Sequence, residues 1–69
     1  MIVSVIGMGY IGLPTAAVLA SRRVKVIGID VNQHVVDTIN QGKIHIIEPE
    51  LDILVRSAVQ TGHLRASKQ

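Results

Sequence analysis

Six residues near the start of the chain, Gly7-Met8-Gly9-Tyr10-Ile11-Gly12, limit what it can fold into more than any other feature. Alone, a GxGxxG run is a weak signal. Its surroundings make it specific. Before it stands the β-branched run Ile2-Val3-Ser4-Val5-Ile6, the pattern of a strand buried on both faces. After it, from Ile11 to about Ser21, Leu13, Ala16, Ala17 and Ala20 recur at helical spacing. Pro14 falls in the first turn of that predicted helix, where amides have no intrahelical acceptor. A second β-branched run, Val24-Lys25-Val26-Ile27-Gly28-Ile29-Asp30, ends in an acid 18 positions after Gly12. Strand, glycine turn, helix, strand and terminal acid are the contexts in which the pattern marks a dinucleotide site.

Each residue of the run then has a separate expected task. Gly7 allows the tight turn out of the strand. Gly9, lacking a side chain, lets a diphosphate approach the backbone. Gly12 lets the helix pack closely against the first strand. The amides of Tyr10 and Ile11 point from the helix start toward the phosphates, where the helix dipole favours negative charge. Asp30 would accept hydrogen bonds from both hydroxyls of the adenine ribose and repel the 2′-phosphate of NADP. No arginine follows it within five residues to receive that phosphate. NAD is therefore the expected cofactor, and FAD proteins, which share the fingerprint, are the main competitor.

Further along, Asn32 is a suitable N-cap for a helix carrying Val35, Val36 and Ile39, with Gly42 as its stop. Lys43 to Glu48 reads as a connector, within which Ile44-His45-Ile46-Ile47 could form a short extended piece. Pro49 opens a third predicted helix, with Leu51, Leu54, Val55 and Ala58 on one face and Gly62 as its stop. Leu64-Arg65-Ala66-Ser67 reads as a third strand. The order strand, helix, strand, helix, helix, strand gives an α/β class with parallel strands and right-handed crossovers. It is the N-terminal half of a Rossmann domain, a three-stranded parallel sheet in the order 3-2-1 with helices.

Composition removes several alternatives. There is no cysteine, so no disulfide, thiolate metal site or cysteine nucleophile lies on these 69 residues. The net charge of +2 invites a nucleic-acid reading, but the densest basic group, Arg22, Arg23 and Lys25, sits at a helix end. Tyr10 is the only aromatic residue, so no base-stacking platform exists, and no nucleic-acid partner is expected. No apolar run approaches the ~20 residues of a membrane helix, and the chain opens directly into its first strand without a basic leader. A cytoplasmic location without a membrane partner is the default expectation. His34, His45 and His63 are too widely spaced for one local metal motif. Glu48 and Glu50 flank Pro49 as acids favourable at a helix start, and the Met8 side chain is expected to pack within its loop.

The stretch Val5-Ile6-Gly7-Met8-Gly9-Tyr10-Ile11-Gly12-Leu13-Pro14-Thr15-Ala16 resembles the start of the UDP-glucose/GDP-mannose dehydrogenase family. Gly28 to His34, Val36 to Asn40, His45 to Leu51 and Leu64 to Ser67 are similar to its UDP-N-acetyl-D-mannosamine dehydrogenase branch, so the resemblance spans essentially the whole chain. Met8 stands where leucine is common. The resemblance implies oxidation of a sugar C6 alcohol to a carboxylate in two NAD-dependent steps, through a thioester on a catalytic cysteine. In that branch the product serves bacterial surface polysaccharides such as enterobacterial common antigen. Tyr10, Ile11 and Asp30 would be NAD contacts. The cysteine, its lysine and asparagine helpers and the sugar-nucleotide domain of such enzymes lie beyond position 69, so the nucleotide sugar would be a partner of the longer parent only. A free-standing dinucleotide-binding module and a self-associating structural piece are the alternatives from other classes. With no fourth strand beside it, the first strand should be an exposed apolar edge, from which a homo-oligomer is expected.

Overall fold

The β-branched segments pair as parallel strands. A computed structural model describes residues 1–69, in the order β1 Ile2–Ile6, α1 Gly12–Ser21, β2 Lys25–Ile29, α2 Gln33–Asn40, α3 Leu51–Gln60 and β3 Leu64–Ser67. The sheet runs β1-β2-β3, with Ile2 opposite Lys25, Ile6 opposite Ile29, Val26 opposite Leu64 and Ile29 opposite Ser67. This is the predicted 3-2-1 order, and β1 has one unpaired edge.

Side chains alternate between the two faces of a strand. Val26, Leu64 and Ala66 join Leu13, Ala16, Ala17 and Ala20 of α1, Val35, Val36 and Ile39 of α2, and Leu51, Val55 and Ala58 of α3 in one buried cluster. All three helices therefore lie on one face. Right-handed crossovers that always step the same way along a sheet force this arrangement. The other face, carrying Ile2, Ser4, Ile6, Ile27 and Ile29, has no helix over it. The expectation that β1 is buried on both faces is thus corrected: Ile2 is 66% and Ile6 77% exposed, while Val3 and Val5 are half-buried.

Element ends follow from local chemistry. Asn32 caps α2, its side-chain oxygen accepting from the amides of His34 and Val35 at 2.9 and 3.4 Å. Each helix closes with the amide of the second residue past its cap reaching back five residues, as in Val24 to Leu19, Lys43 to Thr38 and His63 to Ala58. The residue that turns left-handed there is Gly42 in α2, Gly62 in α3, but Arg23 in α1, at φ 67°. This turn takes in Val24, so β2 starts one residue later than the predicted run; it also ends one residue earlier, at Ile29. The connector from Lys43 contains no strand, with Ile46 buried and Ile47 92% exposed. The third helix starts at Leu51 rather than Pro49, because Glu50 adopts φ 67° and ends a turn closed by the Leu51 amide on the Glu48 carbonyl. Glu50 makes no side-chain cap, so Asp52 alone supplies first-turn acid. On the outer edge of β3, the Asn40 amide donates to the Ala66 carbonyl at 3.0 Å and its oxygen accepts the Ala66 amide at 2.8 Å. No helix is long and apolar enough to cross a membrane.

Candidate functional site

The C-terminal ends of β1 and β2 and the start of α1 converge on one open cleft. The Gly7 amide makes the last rung of the β1–β2 ladder, donating to the Ile29 carbonyl at 2.7 Å. Gly7 then turns the chain at φ 87°, a region closed to most side-chain-bearing residues. At Gly12 an added Cβ would run into the Gly7 carbonyl, whose carbon would lie 2.9 Å away and its oxygen closer still. The helix thus starts against the strand end. Gly9 differs from both: its φ is not positive, and a Cβ there would meet nothing within 4 Å. Neither conformation nor packing within the chain requires glycine at that position.

Helical hydrogen bonding begins with the Leu13 amide on the Gly9 carbonyl at 3.0 Å. The amides of Tyr10 and Ile11, ahead of it, donate to no group of the chain. Their side chains, 67% and 83% exposed, form the lip of a cleft of about 580 Å³ lined also by Gly7, Gly9, Gly12 and Thr15. A smaller hollow of about 260 Å³, bounded by Ile6, Gly7, Ile29, Asp30 and Val31, continues it across the end of β2. All six predicted site residues, Gly7, Gly9, Tyr10, Ile11, Gly12 and Asp30, border these two spaces. The surroundings fit a dinucleotide: free amides and an open approach at one end, a carboxylate at the other.

Asp30 is tied on both oxygens. Oδ2 accepts the Met8 amide and Oδ1 the Asn32 amide, each at 3.0 Å. The Met8 amide does most to hold its carboxyl below the ordinary aspartate range, followed by the Asn32 amide; partial burial opposes them and the charge of His45 adds a smaller lowering. The group is ionised at neutral pH, and each oxygen keeps a lone pair for a further donor.

Sequence reasoning missed the floor of this site. Met8 was expected to pack within its loop; instead its side chain is fully buried in the core. It lies over Gly28, where an added Cβ would collide with the thioether. A glycine inside a β-branched run was the available signal, since it marks a close approach. His45, set aside as a connector residue, lies near enough to influence Asp30, and its Nδ1 is buried without a partner. His34 is exposed and His63 pairs with Thr61 at 2.9 Å, both away from the cleft.

Comparison with known proteins agrees with this geometry. The model of the UDP-glucose/GDP-mannose dehydrogenase family, NAD binding domain, matches residues 1–69. An NDP-N-acetyl-D-galactosaminuronic acid dehydrogenase of Ralstonia nicotianae is 69% identical over 67 residues, 97% of this chain and 16% of that protein. The UDP-N-acetyl-D-mannosamine dehydrogenase of Escherichia coli is 66% identical over 65 residues, 94% of this chain and 16% of that protein. Among solved structures, a ternary complex of GDP-mannose dehydrogenase from Pseudomonas aeruginosa superposes with a TM-score of 0.97 at 42% identity, covering all of this chain and 16% of that one. A UDP-D-ManNAc dehydrogenase from Pyrococcus horikoshii gives 0.95 at 42% identity, with 100% and 16% covered. The chain thus spans 16% of the length of these relatives. It belongs to the UDP-glucose/GDP-mannose dehydrogenase family, within the NAD-binding domain, and NAD is its cofactor.

Proposed function

We propose that this chain holds the adenosine and diphosphate end of NAD in a dehydrogenase that oxidises UDP-N-acetyl-D-mannosamine to UDP-N-acetylmannosaminuronic acid with two NAD per product. Gly7, Gly9, Tyr10, Ile11 and Gly12 form the diphosphate cradle and Asp30 takes the ribose. The observation that carries this reading is Gly9. Its backbone is ordinary and its surroundings are open, so a diphosphate can approach the main chain there with no side chain in the way. The adjacent amides of Tyr10 and Ile11 are free to donate, and a helix start favours the negative charge of a phosphate.

The 69 residues form a partial dinucleotide-binding domain. With no cysteine among them, the thioester chemistry and the sugar-nucleotide site lie on other parts of the parent. The parent works in the cytoplasm and supplies a surface polysaccharide. Mannosamine as the sugar rests on the 66% identity to enzymes of that name; a different nucleotide sugar is the second reading, favoured by the 69% identity to a galactosaminuronic acid dehydrogenase. Titration of the full-length protein tests the cofactor site, and a panel of nucleotide sugars decides the substrate. Asp30→Ala should weaken NAD binding by about one to two orders of magnitude, the size of a charged hydrogen bond, while NADP loses far less. Gly9→Val should abolish NAD binding in a folded protein. Normal NAD affinity in both variants would remove the cleft from the function. Self-association through the free edge of β1 is a further part of the proposal, checked by sedimentation of the chain at micromolar concentration.

A further inference from the structure

Met8 connects the glycine loop to Asp30 through both its main chain and its side chain. The amide donates to Asp30 Oδ2 at 3.0 Å. The side chain, wholly without exposure, fills the space above Gly28 of β2, two residues before Asp30, which follows the end of that strand. A Cβ on Gly28 would press on three atoms of the thioether chain, with Cε at 3.1 Å, Cγ at 3.2 Å and the sulfur nearer. The φ of Gly28 is not positive, so backbone conformation does not call for glycine there. Its missing side chain is a notch, and Met8 is what occupies it. The depth of that seat sets the height of the loop over β2, and hence whether the Met8 amide reaches Oδ2. With Asn32 holding Oδ1 at 3.0 Å, this second tether stops the carboxylate from rotating. An amide on each oxygen leaves one lone pair on each for a further donor, and Asp30 borders the hollow.

We propose that Met8, seated on Gly28, is a positioning residue that fixes the Asp30 carboxylate to read the hydroxyls of the adenine ribose. This rests on the reading that Asp30 meets that ribose. A residue that merely filled the core would weaken all adenine dinucleotides alike when truncated. A residue that aims the carboxylate controls how much the ribose hydroxyl is worth.

The test compares binding of NAD with that of its 2′-deoxyadenosine analogue by the full-length protein, with thermal melting to monitor folding. The wild type should prefer NAD by about tenfold or more, the scale of a charged hydrogen bond. Met8→Ala should reduce that preference to about threefold or less, and Met8→Leu should restore it, since it refills the seat. Gly28→Ala retains every methylene of Met8 and only lifts it, so it should reduce the preference as Met8→Ala does. It carries the test if Met8→Ala does not fold. An undiminished preference in a folded Met8→Ala or Gly28→Ala protein overturns the proposal while leaving the site intact, provided Asp30→Ala removes the preference. If Asp30→Ala leaves the preference unchanged, the ribose reading itself fails, and the proposal with it.

Discussion

Replacing each glycine of the loop by alanine separates three demands that the sequence pattern merges. At Gly12 the new Cβ would lie 2.9 Å from the Gly7 carbonyl carbon and closer to its oxygen, and both are main-chain atoms that no rotamer can move. Ordinary Cβ contacts begin at 3.4 Å, so α1 has to withdraw from the end of β1. Leu13, Ala16 and Ala17, all at 0% exposure, withdraw with it. Full burial of a large apolar side chain is worth about 1.5–3 kcal/mol, so the main-chain clash together with partial loss of burial at Leu13, Ala16 and Ala17 should cost about 3 kcal/mol. In so small a domain that is comparable to the whole stability. At Gly7 the space is open but φ is 87°, so alanine should cost only the conformational penalty of about 1–2 kcal/mol. At Gly9 neither constraint applies, and a less flexible unfolded chain should leave stability unchanged or raised by about 0.5 kcal/mol. Urea unfolding followed by ellipticity measures all three. The expected order of stability is Gly9→Ala at or above wild type, then Gly7→Ala, then Gly12→Ala. A Gly12→Ala protein as stable as wild type, or a Gly9→Ala protein less stable than either of the others, would refute this account of the loop.

Other substitutions probe the rest of the fold. Arg23→Gly should raise stability by about 0.5–1 kcal/mol, read as a higher melting temperature, because the left-handed residue at 67° would no longer carry a Cβ. Asn40→Ala should lose about 2 kcal/mol, since two hydrogen bonds go and the half-buried Ala66 amide is left without its acceptor; faster hydrogen exchange at that amide is the local check. The folded-state pKa of Asp30 is depressed, so its ionised form contributes stability above the unfolded value of about 3.9, and this is lost as pH falls through the lower folded value. Stability measured from pH 6 downward should therefore fall less steeply in Asp30→Asn than in wild type.

What was legible in the sequence was whatever depends on local periodicity and terminal chemistry. The β-branched runs, the Asn32 cap and the stops at Gly42 and Gly62 each have a cause within a few residues, and the strand order follows from the handedness of the crossovers. The misreadings occur where the cause is distant in sequence. An apolar run such as Ile2 to Ile6 signals a strand but not how many faces will be covered, because that depends on which side the helices stack. Met8 lies between two glycines and so reads as loop, yet its partner, Gly28, is on β2, distant in sequence. The late starts of β2 and α3 have a different origin. Arg23 and Glu50 take left-handed backbone angles that their residue types do not advertise.

Covered and uncovered faces of the sheet bear differently on the site. Every device that shapes the cleft lies on the helix-bearing side or at the strand ends: the Gly7–Gly12 contact, the Met8 seat on Gly28, and the amides holding Asp30. On the bare side, Ile2 is remote from the cleft and the adjoining hollow, whereas Ile6, at the end of β1, borders both of them. The glycine loop and the Asp30 carboxylate, the proposed diphosphate and ribose contacts, are therefore set by main-chain contacts within three short segments, Gly7–Gly12, Gly28–Asp30 and Asn32. Main-chain donors cannot change rotamer, so their aim is as rigid as the packing of α1 on β1 and β2. The geometry of the site should accordingly be sensitive to a single methyl group at Gly12 or Gly28.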